Sequence, residues 1–279
     1  MLPGKLTPAS TAKPPSALDR RCGRGQSNTT TAETPTQNHR NNSVDRWGDK
    51  INTKEPNIVR VSFNNINNIG QTRDSYKTTD LKEFIERRDI DFMCLAELGV
   101  YWPSVPDKDR LWERTSEWFD YRRIVTAYNT KGHESRSQYG GTAIIGVDFI
   151  VQKINTCGYD TSGLGRWCWM VMNGKNDTTT RIISTYCPVK PHSNGQNTVF
   201  AQQLRVLSVD PIQAFWNDLG TELQQWMNNG EQIILCGDWN TYVLGKDITT
   251  FMNKYGLKEA ITHVHGQSPP GTYIRGKKV

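Results

Sequence analysis

Four apolar runs in this sequence each end on a polar side chain, and the types of those side chains suit oxyanion and metal chemistry. Residues 59–63 lead into Asn64, residues 90–96 into Glu97, residues 181–185 into Tyr186, and residues 233–235 into Asp238 and Asn240. Runs of this length and composition read as buried strands, and a strand end is a rigid place from which to present a catalytic group. Asp238 and Asn240 stand two apart, so an extended chain through Trp239 would aim both at one face, a carboxylate to take or orient a proton and a carboxamide to hold an oxygen. An ordinary turn after a strand also produces Gly-Asp-x-Asn. The pattern alone therefore leaves two readings, and the repetition of polar strand ends along the chain favours the functional one.

The elements that must position these groups are legible as periodicity. Asp80 with Glu83 three residues later predicts a helix cap, with Leu81, Phe84 and Ile85 as the apolar stripe. A strand, helix, strand order then places Asn64 and Glu97 at one end of a sheet if the strands are parallel. Leu111, Trp112, Thr115, Trp118 and Phe119 fall at helical spacing and predict a packed helix, although aromatics interleaved with Lys108, Arg110, Arg114, Arg122 and Arg123 could also stack bases. Residues 141–147, 167–172 and 181–186 predict an antiparallel run of strands. The strongest helix signal is Asp210 as cap, Pro211 in the first turn, then Ile212, Phe215, Trp216, Leu219, Leu223 and Trp226 on one face, with Gly230 beyond. A helix over 247–255 and a strand over 271–275 close the chain. His263 and His265 alternate as strand neighbours would; without a third ligand nearby they read as ordinary surface or packing histidines rather than a metal pair.

Length and composition bound the remainder. With 279 residues and 35% hydrophobic content, one α/β domain plus a tail fits best. Residues 1–56 are rich in Pro, Ser, Thr, Asn and Gly and bury too little to offset ordering entropy, which predicts disorder. That segment holds nine Lys or Arg against five Asp or Glu, and Arg275, Lys277 and Lys278 follow near the other end, so the net charge of +6 is not carried by the body, which sits near −1. A basic tail can grip phosphate, but charge does not carry a nuclease argument here. Six cysteines show no Cys-x-x-Cys spacing and read as structural thiols in a reducing compartment. No signal peptide and no membrane-length apolar run is seen, which predicts a soluble intracellular protein, compatible with the nucleus, that does not engage a membrane.

From about Asn57 onward the chain resembles the endonuclease/exonuclease/phosphatase superfamily of metal-dependent phosphodiesterases, which includes apurinic endonucleases and retrotransposon endonucleases. Val61-Ser62-Phe63-Asn64 is similar to that family's first-strand Asn motif and Cys94-Leu95-Ala96-Glu97 to its metal Glu. Gly140-Gly141-Thr142-Ala143 is similar to its central Gly-Gly strand, Tyr186-Cys187-Pro188 to its Tyr-x-Pro, and Gly237-Asp238-Trp239-Asn240 to its Gly-Asp-x-Asn, all five in the family's order. The resemblance implies a four-layered α/β sandwich of two packed mixed β-sheets flanked by helices, with residues 57–279 forming the domain and 1–56 a basic tail. It implies Mg²⁺, with Mn²⁺ as a substitute, held by Glu97 and Asn64, while Asp238, Asn240 and Tyr186 act on water and phosphate. Asn65 or Asn67 would replace Asn64 after a slip of register. The family also continues past a Thr-Tyr strand, here at Thr272-Tyr273, into an Ile-Asp-Tyr strand and a Ser-Asp-His; no histidine follows Tyr273 in this sequence. The resemblance therefore implies an incomplete C-terminus, with the last strands missing, and reduced activity. The expected function is metal-dependent phosphodiester hydrolysis by a DNA endonuclease domain of mobile-element type. The alternatives are a non-catalytic nucleic-acid-binding relic, and a phosphoesterase acting on RNA, lipid or inositol phosphate. The sequence does not set the number of subunits.

Overall fold

The computed structural model describes residues 53–131, 137–191 and 197–266. The expected tail, save its last four residues, and the expected strand over 271–275 lie outside the described residues. Within them the chain runs β1 (Val61–Asn65), α1 (Tyr76–Arg87), β2 (Phe92–Ala96), α2 (Leu111–Arg114), β3 (Arg122–Ala127), β4 (Thr142–Val147), β5 (Ile154–Tyr159) and β6 (Trp167–Asn173). It continues through β7 (Thr179–Tyr186), α3 (Val199–Leu204), α4 (Pro211–Asn228), β8 (Gln232–Asp238), α5 (Lys246–Lys254) and α6 (Ala260–His265).

The strands form two mixed sheets ordered β1-β2-β4-β3 and β5-β6-β7-β8. In the first, β1 and β2 are parallel while β4 runs antiparallel to β2 and β3. In the second, β5, β6 and β7 alternate direction and β8 lies parallel to β7. Both parallel pairs are joined through helices, as a parallel connection requires. The two sheets face each other across Phe92, Cys94, Ile144, Cys168, Met170 and Ile182. On the outer face of the first sheet, Leu81 and Ile85 of α1 cover Met93, Leu95 and Ile145. On the outer face of the second, Phe215, Leu219 and Leu223 of α4 cover Trp167 and Ile183. Helix, sheet, sheet, helix makes the expected four-layered sandwich. It also explains why β2 and β4 are buried along their whole length: each is central in its sheet and covered on both faces.

Several local expectations differ from the structure. Helix α1 begins at Tyr76, one turn before Asp80, and its cap residue Ser75 makes no side-chain cap bond. The stripe over 111–119 supports only the single turn α2. Trp112 is 48% exposed with the Arg122 guanidinium 4.4 Å from its ring centroid, while Trp118 is half-buried against the first outer cluster. The next strand, β3, starts three residues after Phe119, so a sheet pairing overrides helical spacing. His263 and His265 sit in α6, where positions two apart point in different directions, which removes their strand alternation. Helix α4 is as expected: the Asp210 carboxylate accepts from the Ile212 and Gln213 amides, and Pro211 occupies the first turn.

Two buried cations stiffen the second sheet. Arg166 donates to Asp160 at 2.7 Å and to Asp218 at 2.8 Å, and lies 4.4 Å from the Trp167 ring. Although burial disfavours its charge, those carboxylates raise its pKa. Arg181 donates to both oxygens of Glu231 and is sandwiched between Trp169 and Trp226. The five cysteines among the described residues are free thiols. No helix among the described residues is long and apolar enough to cross a membrane.

Candidate active site

Strand alternation decides which polar groups meet. In β1, Val61 and Phe63 pack into the layer between the sheets, so Asn65 continues that face, whereas Asn64 shares the opposite face with Ser62 and is exposed. In β7 the inward set is Ile182, Ser184 and Tyr186; in β8 it includes Cys236 and then Asp238. Asn65, Tyr186 and Asp238 are thus the residues at which three inward faces run out of hydrocarbon, at the carboxyl ends of the strands of both parallel pairs.

The Asn65 Nδ2 donates to Asp238 Oδ2 at 2.8 Å, bridging the two sheets. Its own Oδ1 accepts from the Asn67 amide at 3.0 Å, which fixes the amide's orientation. It is therefore Asn65, one of the slips of register that the sequence allows, and not Asn64 that faces Asp238. The Val61, Phe63, Asn65 alternation is the signal that points to it.

Glu97 reaches the same place by a backbone reversal. Met93 and Leu95 face α1, so simple alternation would send Glu97 there too, but its φ of 55° is left-handed and ends the strand. That conformation is held from both sides. The Asn68 amide donates to the Glu97 carbonyl at 2.7 Å, and the Gly99 amide donates to the Gly140 carbonyl at 3.0 Å. Gly140 has φ +81°, and a Cβ there would stand 3.0 Å from Val199 and 3.8 Å from the Tyr186 ring, which accounts for the first glycine of the pair.

Tyr186 is the hub. Its pKa is raised by burial first, then by the negative charge of the neighbouring Glu97 and by Asp238, while Asn240 works in the opposite direction. The phenol stays protonated through neutral and alkaline pH. The Tyr186 amide donates to the Arg166 carbonyl at 2.9 Å, so the buried cation network supports the hub directly. Asn240 does not continue an extended strand: its φ is 49°, and its amide donates to Asp238 Oδ1 at 3.0 Å. The turn reading of Gly-Asp-x-Asn is realised, and that turn brings the Asn240 side-chain amide back to the Cys187 carbonyl, 2.7 Å away. Gly237 is required by close approach, since a Cβ there would lie 2.1 Å from Thr185 Oγ1. Beside this cluster the Cys187 thiol is pushed up to about 12, by burial first and then by Asp238, which makes it no nucleophile at neutral pH.

Among the described residues neither Glu97 nor Asp238 pairs with a lysine, arginine or histidine, and no three of His, Cys, Asp and Glu converge as a metal cluster. Two carboxylates, two amide side chains and a phenol therefore gather at the strand ends with no cation paired to the carboxylates among the described residues. That donor set consists of hard oxygens and fits a hard divalent cation that takes one or two protein carboxylates and keeps its remaining positions for water and phosphate.

One bond aligns the two halves. Ser184 is fully buried and its hydroxyl donates to the Leu95 carbonyl at 2.9 Å, across the sheets and two residues before both Tyr186 and Glu97. Ser184→Ala is expected to cost about 1–3 kcal/mol of stability by leaving that acceptor unpaired. It should also lower turnover more than binding, read from urea denaturation alongside kcat and KM.

No protein-family model matches the chain, and no curated protein sequence matches it. Solved structures do. An AP endonuclease from Leishmania major is 15% identical, with a TM-score of 0.55 over 76% of this chain and 71% of that one. A 3′ phosphatase from Neisseria, bound to a product DNA hairpin, is 12% identical with a TM-score of 0.52 over 75% of this chain and 76% of that one. An AP endonuclease from Archaeoglobus fulgidus aligns at a TM-score of 0.41 and 17% identity over 66% of this chain, and the chain spans 58% of its length. At these identities the first two establish the fold, the α/β sandwich of the endonuclease/exonuclease/phosphatase structures.

Proposed function

We propose that the chain is a divalent-metal-dependent phosphodiesterase acting on DNA, an endonuclease domain of the mobile-element type. The observation that carries this reading is the convergence of Asn65, Glu97, Tyr186, Asp238 and Asn240 at one cleft, with the two carboxylates unpaired by any described cation. The same fold in an AP endonuclease and in a DNA-bound 3′ phosphatase supports nucleic acid as the substrate class. Residues 57–279 would form this domain, and 1–56 a basic tail adding sequence-independent phosphate contacts.

Glu97, with Asn65 beside it, would hold Mg²⁺ or Mn²⁺, which when bound supplies neutralisation of charge growing on phosphate oxygens. Asp238 is held by donors at both oxygens, from Asn65 and from the Asn240 amide. Its free lone pairs can orient a water and take its proton. Asn240, whose side-chain amide is held by the Cys187 carbonyl, and Tyr186 would donate to a phosphoryl oxygen once substrate is bound. No imidazole joins this cluster among the described residues.

The test is nicking of supercoiled plasmid by the purified chain with Mg²⁺ and with EDTA, in parallel with an abasic duplex, poly(A) and inositol phosphate. Metal-dependent nicking, lost in Glu97→Ala and Asp238→Ala, is the expected result. Cleavage confined to poly(A) or inositol phosphate would move the substrate class, and no metal-dependent cleavage of any of the four would overturn the reading in favour of a non-catalytic binder.

A further inference from the structure

The rim of the cleft carries two tyrosines whose rings are left in solvent. Tyr139 is 61% exposed and Tyr242 66%, and among the described residues neither side chain makes a ring contact, hydrogen bond or ion pair. Other aromatics of the molecule differ. Tyr101 meets Tyr128 edge-on, Trp239 stacks on Trp216, and the exposed Trp112 and Phe149 rings carry Arg122 and Lys153.

Both rings are tethered within reach of the reacting groups. Tyr139 precedes Gly140, where a Cβ would stand 3.8 Å from the Tyr186 ring. Tyr242 follows Asn240 by two residues, so its Cα lies within about 7 Å of that residue's Cα. Each backbone is pinned although each ring is not. The Gly245 amide donates to the Tyr242 carbonyl at 2.7 Å, and the neighbours of Tyr139 on either side are bonded to Gly99, the Gln138 amide to its carbonyl and the Gly140 carbonyl to its amide. An anchored backbone bearing a solvated ring with two rotatable bonds loses little entropy on contact, which suits a stacking platform.

Resting on the reading of the cleft as a phosphodiesterase site, we propose that Tyr139 and Tyr242 stack on the nucleobases flanking the scissile phosphate, so that the preferred substrate is DNA whose bases are unpaired. Every base has a π face, so this recognition is tolerant of sequence, and it distinguishes polynucleotides from lipid or inositol phosphates, which offer no base.

The experiment measures binding and hydrolysis separately with the full chain. Binding is read in EDTA by fluorescence of a single-stranded oligonucleotide carrying 2-aminopurine, beside an oligomer of equal length built wholly of abasic units. Tyr139→Ala and Tyr242→Ala should each weaken the base-containing oligomer by roughly fivefold or more, leave the abasic oligomer unchanged, and be restored by Tyr→Trp at the same position. Equal weakening on both oligomers, no weakening, or a wild-type chain that does not prefer bases would overturn the inference. Hydrolysis of methyl p-nitrophenyl phosphate, which has no base, should be unaffected by either variant; turnover of that diester without base preference would leave the phosphodiesterase reading standing and remove the stacking role. Base-dependent binding without turnover of any diester would do the reverse.

Discussion

Asp238→Ala is expected to reduce kcat/KM for plasmid nicking by about a thousandfold or more, with the fold intact. The expectation follows from how Asp238 is held. It bonds Asn65 of the opposite sheet and the Asn240 amide of its own turn, so its carboxylate is oriented before substrate binds and none of that geometry can be recovered from solvent. Removing it also frees the Asn65 amide, the one side-chain bond joining β1 to β8 at the cleft. Glu97→Gln should fail differently. The side chain keeps its size and place beside Tyr186, but one of the two carboxylate charges that would attract a divalent ion is lost. Its loss should appear as a rise of about tenfold or more in the Mg²⁺ concentration giving half-maximal rate, and as weakened metal binding in calorimetry without substrate. Equal metal dependence in Glu97→Gln and wild type would remove Glu97 as a ligand. Wild-type nicking by Asp238→Ala would remove the cleft as the site.

Arg166→Ala is expected to be the most destabilising single change, by about 3–5 kcal/mol in urea denaturation. The guanidinium is 1% exposed and bridges Asp160 and Asp218 while lying on Trp167, so deletion strands a buried carboxylate at Asp160. Lysine should not restore it, because one ammonium cannot serve two carboxylates and an aromatic face with the planar fork that arginine has. The residue's carbonyl also receives the Tyr186 amide, so a partly folded variant should lose activity beyond its loss of folded protein. A loss under about 1 kcal/mol would show that the pair's desolvation cost nearly cancels its attraction.

Much of this protein was legible in the order of its residues. Apolar runs ending in Glu97, Tyr186 and Asp238 identified the strands and the groups they deliver, because a strand buried on both faces must be apolar and can change character only at its end. The α4 helix was equally plain, since Asp210, Pro211 and a long apolar stripe agree locally. What local patterning could not supply was which of two adjacent asparagines faces inward. Asn64 and Asn65 differ by one residue, and a shift of one reverses the face; only packing of Val61 and Phe63 against the second sheet decides it. The same holds at Glu97 and Asn240, whose left-handed backbones are imposed by neighbouring loops and by an Asx turn, and at residues 111–119, where pairing of β3 with β4 overrides helical spacing. Residue types determined the kind of chemistry available. The meeting of groups from β1, β2, β7 and β8, brought together by packing two sheets face to face over a shared apolar layer, was decided by tertiary structure alone, because contacts between residues up to 173 positions apart are carried by no local pattern.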